Sequence, residues 1–254
     1  QGSEMSYFQY ALPHPSGLAA LCFVLFWGSN SFASLRPFEA TYTSQWDLGI
    51  SLSGKADRSL IKNQDGSYRL TTKASAMVAS LNESSLFNVT EGQIEPIHYR
   101  YQRKILNKKR TVEVTFNWLN LSVENTAGGS SWMMDIVPGT LDKQSVQLRL
   151  QLDLAMGPSS SATNGDVYAY DVADGGLLKT YSFVKDGEDL IKTPLGSYQS
   201  IRVKRDRGED ADRETWIWFA PQLDFTIIKI VQKEADGKRY QLNLKQLTWL
   251  DQPS

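Results

Sequence analysis

The run FTIIKIVQKEADGKRYQLNLKQLTWL, residues 225–250, contains two strand-like segments separated by Asp236-Gly237. In the second segment Tyr240, Leu242 and Leu244 alternate with polar residues, which is the period-two pattern of a strand with one buried face. A glycine after an aspartate supplies the positive φ angles that a two-residue hairpin turn needs. This stretch therefore predicts an antiparallel β-hairpin.

The same alternation recurs along the rest of the chain. It is clear from Tyr42 to Leu52, which predicts one long strand, and from Val112 to Trp118. Further glycine turns separate strand-like runs at Asp65-Gly66, Gly175-Gly176 and Asp186-Gly187. We therefore expect an all-β, mainly antiparallel meander whose sheet curls into a barrel or half-barrel, because such curling removes exposed edges.

The segment LDKQSVQLRLQLDLAM, residues 141–156, can be interpreted in two ways. Val146, Leu150 and Leu154 fall at helical spacing, but the leucines of this run also alternate strictly, as in a strand. Gln, Leu, Arg, Lys and Met favour helices, and β-branched residues are nearly absent. We favour one helix near 142–156, lying across one mouth or face of the sheet.

Residues 1–33 have the pattern of a secretory signal. The run from Leu18 to Trp27 is apolar, and small or polar residues follow it up to Ala33. This run is about half of the ~20 residues that a membrane-spanning helix needs. A leucine rather than a small residue precedes Cys22, so lipid attachment is not expected. We expect cleavage after Ala33 and a single β-rich periplasmic domain over residues 34–254.

The composition that remains after cleavage excludes several kinds of function. Removing residues 1–33 takes Glu4 from the 28 acidic residues and leaves 27 against 27 basic ones, so no nucleic-acid binding is expected. It also removes Cys22, the single cysteine. His98 is the one histidine left, and no nucleophile motif accompanies it. The carboxylates between Asp206 and Glu214 are interleaved with arginines, as in a solvated loop. We expect no catalytic residue, no metal and no cofactor.

Two groups of residues are candidate contact sites. Aromatic side chains that share strand faces either fill the core or line an apolar cavity, and the lining candidates are Trp118, Tyr168, Tyr170, Trp216 and Trp218. Cations gathered at a predicted hairpin tip are either ordinary solvated residues or contacts for an anionic envelope surface, and the candidates are Arg103, Lys104, Lys108, Lys109 and Arg110.

Several motifs resemble one bacterial family. The carboxyl-terminal half carries GEDLIKTPLG (187–196), SIRVKR (200–205) and WIWFAP (216–221), and the amino-terminal half carries DGSYRL (65–70) and VTFNW (114–118). Together they are similar to the family called domain of unknown function 3108. The resemblance implies a periplasmic, β-barrel-like protein of Gram-negative bacteria without an assigned activity, and it brings no catalytic residues.

These features lead to three functional hypotheses. The first is a noncatalytic periplasmic envelope protein that binds or carries an apolar or amphipathic ligand, such as a lipid or a lipoprotein acyl chain, in a curved sheet. The alternative is an envelope-assembly scaffold without a small-molecule ligand. The third is an envelope hydrolase that uses carboxylates. We expect a monomer with a lipid or envelope protein as partner and at most transient membrane contact.

Overall fold

The computed structural model describes residues 35–47, 51–77, 79–157, 162–163, 167–208 and 211–251, with the backbone alone for 162–163. The predicted signal and its cleavage site after Ala33 lie outside the described residues. The described residues contain one 15-stranded antiparallel sheet, a helix α1 (Ser145–Met156) and a short 3₁₀ helix (Pro221–Leu223).

The strands divide into those that precede α1 and those that follow it. The first half consists of β1 (Phe38–Asp47), β2 (Ser51–Lys62), β3 (Tyr68–Ala76), β4 (Ala79–Thr90), β5 (Gln93–Ile105), β6 (Lys108–Asn117), β7 (Ser122–Ala127) and β8 (Ser130–Asp135). The second half consists of β9 (Ala162–Thr163), β10 (Val167–Asp174), β11 (Leu177–Lys192), β12 (Ser197–Asp206), β13 (Arg213–Ala220), β14 (Thr226–Glu234) and β15 (Arg239–Trp249).

Each half is a meander in which consecutive strands are neighbours. The two halves join where the first strand pairs with the last, with Phe38 opposite Trp249 and Asp47 opposite Arg239. The order across the sheet is therefore β8 to β1 followed by β15 to β9. This arrangement confirms the predicted antiparallel meander.

The sheet curls strongly without closing. Four of its strand pairs contain a register shift, which adds local twist, at Thr41, Leu86, Lys185 and Trp218. The segment between β8 and α1 then runs beside β10. There the Leu141 amide donates to the Asp171 carbonyl at 2.8 Å, and the Leu141 carbonyl accepts from the Ala173 amide at 2.9 Å. These bonds draw the two ends of the sheet together into a half-barrel.

Helix α1 lies against the concave face of the curled sheet, inside the half-barrel, which is one of the two expected positions. Its most buried apolar side chains point to different sides of the helix and are at most 1% exposed: Val146, Leu148 and Leu150. The Gln147 side chain accepts a hydrogen bond from Arg58 of β2, and Asp153 accepts one from Tyr170 of β10. A helix that is apolar on several sides must be enclosed, and here the sheet supplies the enclosure.

The start of α1 is held by a buried cap. The Asp142 carboxylate accepts the backbone amides of Gln144 at 2.8 Å and Ser145 at 2.9 Å, and it also accepts the Ser85 hydroxyl at 2.5 Å. The helix begins at Ser145, three residues after the predicted boundary, because the Asp142 side chain satisfies its first free amides. Burial raises the pKa of Asp142 to about 6.

Two predicted local features are wrong. The alternation from Tyr42 to Leu52 belongs to two antiparallel strands, since Trp46 pairs with Leu52 and Asp47 with Ser51. The two residues of a cross-strand pair face the same side of the sheet. The polar–apolar alternation therefore continues from β1 into β2, and the turn between the two strands leaves no mark in the pattern. Asp186-Gly187 is a bulge inside the 16-residue β11 rather than a hairpin turn, and Gly187 has a φ of +133°.

Candidate functional site

A cavity of about 300 Å³ lies between the first turns of α1 and the concave face of the sheet. We call the end of the sheet that contains it the cavity end. Much of the wall is apolar, and this part includes Tyr42, Val146, Phe183, Ile217, Ile227 and Leu242. The remainder is strongly polar, with three arginines among the lining residues: Arg58, Arg205 and Arg207. Apolar walls with a few convergent polar groups are typical of small-molecule sites.

Arg58 of β2 is the most buried of these arginines, at 8% exposure. It occupies an inward position of β2 between Ala56 and Leu60, which are also buried. Its Nη1 donates to the Gln147 side chain at 2.7 Å, and no carboxylate among the described residues lies within ion-pair distance of it. Burial lowers the pKa of Arg58, and the smaller effects of Tyr42 and Glu83 oppose this shift.

The other two arginines enter the cavity from the end of β12 and the residue after it. The Arg205 guanidinium lies 3.3 Å from the ring centroid of Tyr181, and its buried Nε has no hydrogen-bond partner among the described residues. Arg207 donates to the Thr215 hydroxyl at 3.1 Å. Burial, with the charges of Arg205 and Arg213, lowers the pKa of Arg207 to about 10.

Little negative charge compensates these groups. Glu83 is the one carboxylate among the lining residues, and its Oε1 accepts the Tyr99 hydroxyl at 2.5 Å. Lys143 also lines the cavity but is paired with Asp174 at 3.4 Å. Three guanidinium groups against one carboxylate leave an excess of positive charge in a partly apolar space, where an anion is attracted more strongly than in water.

A second cleft, of about 560 Å³, lies where α1 ends, and we call that end of the sheet the cleft end. Its lining includes Leu35, Phe38, Leu152, Ala155 and Trp249. The cation in it is Arg36, which pairs with Asp224 at 3.4 Å and lies 4.4 Å from the Trp249 ring centroid. The charge in this cleft is therefore compensated.

None of the five aromatic residues that were predicted to line a cavity is among the lining residues of this one. They lie at several separate positions in the fold. Tyr168 is buried in the main core, and Tyr170 binds Asp153 of α1. Trp118 follows β6, stacks on Phe116 and donates to the Pro96 carbonyl at 2.8 Å.

Trp216 and Trp218 lie on the convex face of β13, opposite to the face that enters the cavity. They line an outer cleft of about 570 Å³ together with Lys229. Trp218 donates to Asp189 at 2.8 Å, and Lys229 lies 4.8 Å from the Trp218 ring centroid. The next residue along the strand, Ile217, faces inward and lines the cavity.

The predicted cations lie together at the tip of the β5–β6 hairpin, and all five are exposed: Arg103, Lys104, Lys108, Lys109 and Arg110. They do not line the cavity, but this hairpin tip is at the cavity end. Leu81, a lining residue of the cavity, pairs directly with Arg103 of the tip.

The interior arginines were not predicted. The strand alternation could have identified them. Arg58 is an even number of residues from buried Ala56 and Leu60, and Arg205 is two residues from buried Val203, so each arginine lies on the buried face of its strand. A cation in an inward-facing register is expensive unless something pairs with it, so it marks a functional candidate.

Within the described ranges, no set of three or more His, Cys, Asp or Glu side chains is placed to hold a metal ion. Helix α1, the one α-helix in that part of the chain, is too short to cross a bilayer. His98 lies on β5 with its Nε2 3.8 Å from Glu113.

The curled antiparallel sheet with a helix inside it is typical of a β-barrel-like domain. A solved β-barrel-like protein of the DUF1849 family from Brucella abortus has a TM-score of 0.60 with 12% identity, covering 85% of this chain and 99% of that one. The chain belongs to the family described as Protein of unknown function (DUF3108), whose model matches residues 38–245. This confirms the resemblance found in the sequence.

Two further solved structures have lower TM-scores. A DUF1329 protein from Desulfovibrio piger has a TM-score of 0.27 and 8% identity, covering 86% of this chain and 88% of that one. A putative outer membrane lipoprotein-sorting protein domain from Vibrio parahaemolyticus has a TM-score of 0.22 and 9% identity, covering 86% and 87%. No curated protein matches the sequence.

Proposed function

We propose that this protein is a noncatalytic periplasmic binding protein that holds an amphiphile with an anionic head and one apolar chain in the cavity beside α1. The observation that carries the proposal is Arg58, a buried cation in a partly apolar cavity without a carboxylate partner among the described residues. An uncompensated buried charge costs several kcal/mol, and a bound carboxylate or phosphate would offset this cost.

The cavity suits such a ligand in shape and polarity. Its volume of about 300 Å³ is at the lower end of the range for small-molecule pockets, which favours a single short chain over a diacyl lipid. The Ile217 and Leu242 side chains would contact the chain, while Arg58, Arg205 and Arg207 would contact the head. The single lining carboxylate, Glu83, is hydrogen-bonded to Tyr99, which supports a binding role over hydrolysis.

The test is a comparison of head groups on one chain length. Decanoate, decyl phosphate and decyltrimethylammonium are titrated calorimetrically into the purified protein, below their micelle concentrations. The two anions are expected to bind at least about 10-fold more tightly than the cation, because a cation would face three guanidinium groups. Equal affinity for the three, or no binding of either anion, would overturn the proposal.

Arg58→Gln is the matched variant, with Arg69→Gln as control. Arg69 is an exposed arginine on neighbouring β3, so the control removes the same charge without touching the cavity. Loss of a buried charged partner costs about 2–5 kcal/mol, so decanoate affinity is expected to fall by about 100-fold in Arg58→Gln and to stay unchanged in Arg69→Gln. Native mass spectrometry of protein purified from an exporting host would then identify any amphiphile that copurifies.

A further inference from the structure

Three large apolar side chains are exposed at two adjacent hairpin turns. Met77 of the β3–β4 turn is 82% exposed, and Ile105 and Leu106 at the β5–β6 turn are 41% and 62% exposed. Ala79, which closes the first turn, pairs with both Ala76 and Ile105, so the two turns lie side by side. We call these three residues the apolar tip.

Five cations surround the apolar tip. Lys104 lies directly opposite Lys109, and Arg103 lies directly opposite Arg110. Like charges in such pairs repel, which destabilises the free hairpin. In the described part of the chain, none of the five cations forms an ion pair, whereas nearby Arg100 pairs with Glu113. An external anionic group can offset this repulsion.

The cations project from both faces of the hairpin. Arg103 pairs with Leu81, a lining residue of the cavity, so Arg103 and Arg110 are on the concave side. Successive residues alternate, which places Lys104 and Lys109 on the convex side. The apolar tip therefore has positive charge on both sides of it.

We infer that the apolar tip and its cations dock the cavity end of this protein on an anionic lipid surface. A membrane offers both components at once, because headgroup phosphates attract the lysines and the acyl boundary accepts the leucine, isoleucine and methionine side chains. A soluble polyanion would satisfy the cations and leave the apolar tip in water. The whole chain has a net charge of −1, so this attraction is local to the tip.

Docking in this orientation brings the cavity to the lipid. Leu106 is three residues beyond Arg103, so the apolar tip extends about 10 Å past Leu81 at the cavity wall. A tip inserted to the acyl boundary holds the cavity end at the headgroup layer. Docking requires no ligand in the cavity, so it can succeed or fail independently of the proposed binding function.

Vesicle flotation tests the inference with two lipid compositions. The purified protein is mixed with vesicles of phosphatidylcholine alone, or of phosphatidylcholine with ~30% phosphatidylglycerol, at low and at physiological salt. The protein is expected to float with the anionic vesicles and not with the neutral ones, and salt is expected to weaken the interaction. Absence of flotation with anionic vesicles at low salt would overturn the inference, as would binding to heparin without binding to vesicles.

Charge-matched variants locate the contact. Lys104→Gln/Lys108→Gln/Lys109→Gln removes three tip cations, and Arg69→Gln/Lys192→Gln/Lys245→Gln removes three exposed cations elsewhere. The tip variant is expected to lower the partition coefficient by about 100-fold, since each lysine near the surface adds about fivefold, and the control variant is expected to stay near the wild type. Equal loss in both variants would overturn the assignment of the tip.

The apolar contribution is measured separately. Leu106→Ser keeps every charge, and Leu119→Ser is its control because Leu119 is 97% exposed in the turn after β6, at the opposite end of the sheet. Leu106→Ser is expected to lower binding by about 5- to 10-fold and to remove most of the binding that persists at physiological salt. Unchanged salt-resistant binding in this variant would overturn the insertion of the tip.

Discussion

The two ends of the half-barrel differ in whether the arginine that lines each space is paired with a carboxylate. At the cleft end, Arg36 is neutralised by Asp224 and covered by Trp249. At the cavity end, Arg58 lies without a carboxylate partner among the described residues, in a space about half as large. Volume alone therefore does not distinguish a binding site from an ordinary cleft in this fold. Uncompensated charge within an apolar wall identifies it, because that charge is costly until a ligand arrives.

Helix α1 separates the two ends, and removal of its central side chain should have the largest effect. Leu150 is fully buried, so Leu150→Ala should lower the free energy of unfolding by about 3 to 4 kcal/mol through lost contacts and a cavity. Urea denaturation measures this, with Leu190→Ala as the control because Leu190 is 66% exposed. Equal destabilisation by both substitutions would mean that α1 does not fill the sheet.

The buried cap at the cavity end should make stability depend on pH. Burial raises the pKa of Asp142 to about 6, above the unfolded value of 3.8, so the folded protein binds the proton more tightly between about pH 4 and 6. Stability from this group is therefore present at low pH and is lost as the pH rises through that window. Asp142→Asn should remove this loss, which is on the order of 2–3 kcal/mol.

Urea denaturation at pH 4 and at pH 7 checks this prediction. Between these pH values the wild type should lose stability relative to Asp142→Asn, whereas the exposed control Asp135→Asn should follow the wild type. A parallel pH dependence in the wild type and Asp142→Asn would show that this carboxyl does not titrate in the window.

Substitution of one arginine at each end should change stability with opposite signs. Arg58→Met removes a buried, uncompensated charge at similar volume, so the ligand-free protein should gain about 1 to 3 kcal/mol. Arg36→Met removes an exposed ion pair and should cost less than about 1 kcal/mol. Thermal unfolding without ligand measures both. A loss of stability in Arg58→Met would show that its charge is already compensated in the free protein.

The smallest effect is expected on the convex face, away from both ends. Trp218→Phe removes the hydrogen bond to Asp189 and should cost about 1 kcal/mol of stability. Decanoate affinity should stay within about twofold of the wild type, because Trp218 does not line the cavity. A large loss of decanoate affinity in Trp218→Phe would indicate that the ligand binds in the outer cleft and not in the cavity.

Strands and faces were predictable because alternation is a local property. The inward positions of Leu242 and Leu244 on β15 follow from the residues themselves, and the hairpin turn at Asp236-Gly237 is where the sequence places it. The same alternation failed at Asp186-Gly187, since a bulge and a turn both require an unusual glycine conformation. It also failed to locate the binding face of β13, because that strand is apolar on both sides and only its partners decide which side is inside.

The sequence by itself determined the antiparallel meander, the family and the cationic hairpin, and it favoured a helix near 142–156, since each of these depends on residues that are close along the chain. Only the tertiary structure decided that α1 fills the sheet and that Arg58, Arg205 and Arg207 meet in one cavity. Arg58 lies on β2, whereas Arg205 and Arg207 lie at the end of β12 and just after it, on the opposite side of the junction between β1 and β15. The curl of the sheet, which is set by pairing across the whole chain, brings them together, and no local pattern encodes that distance.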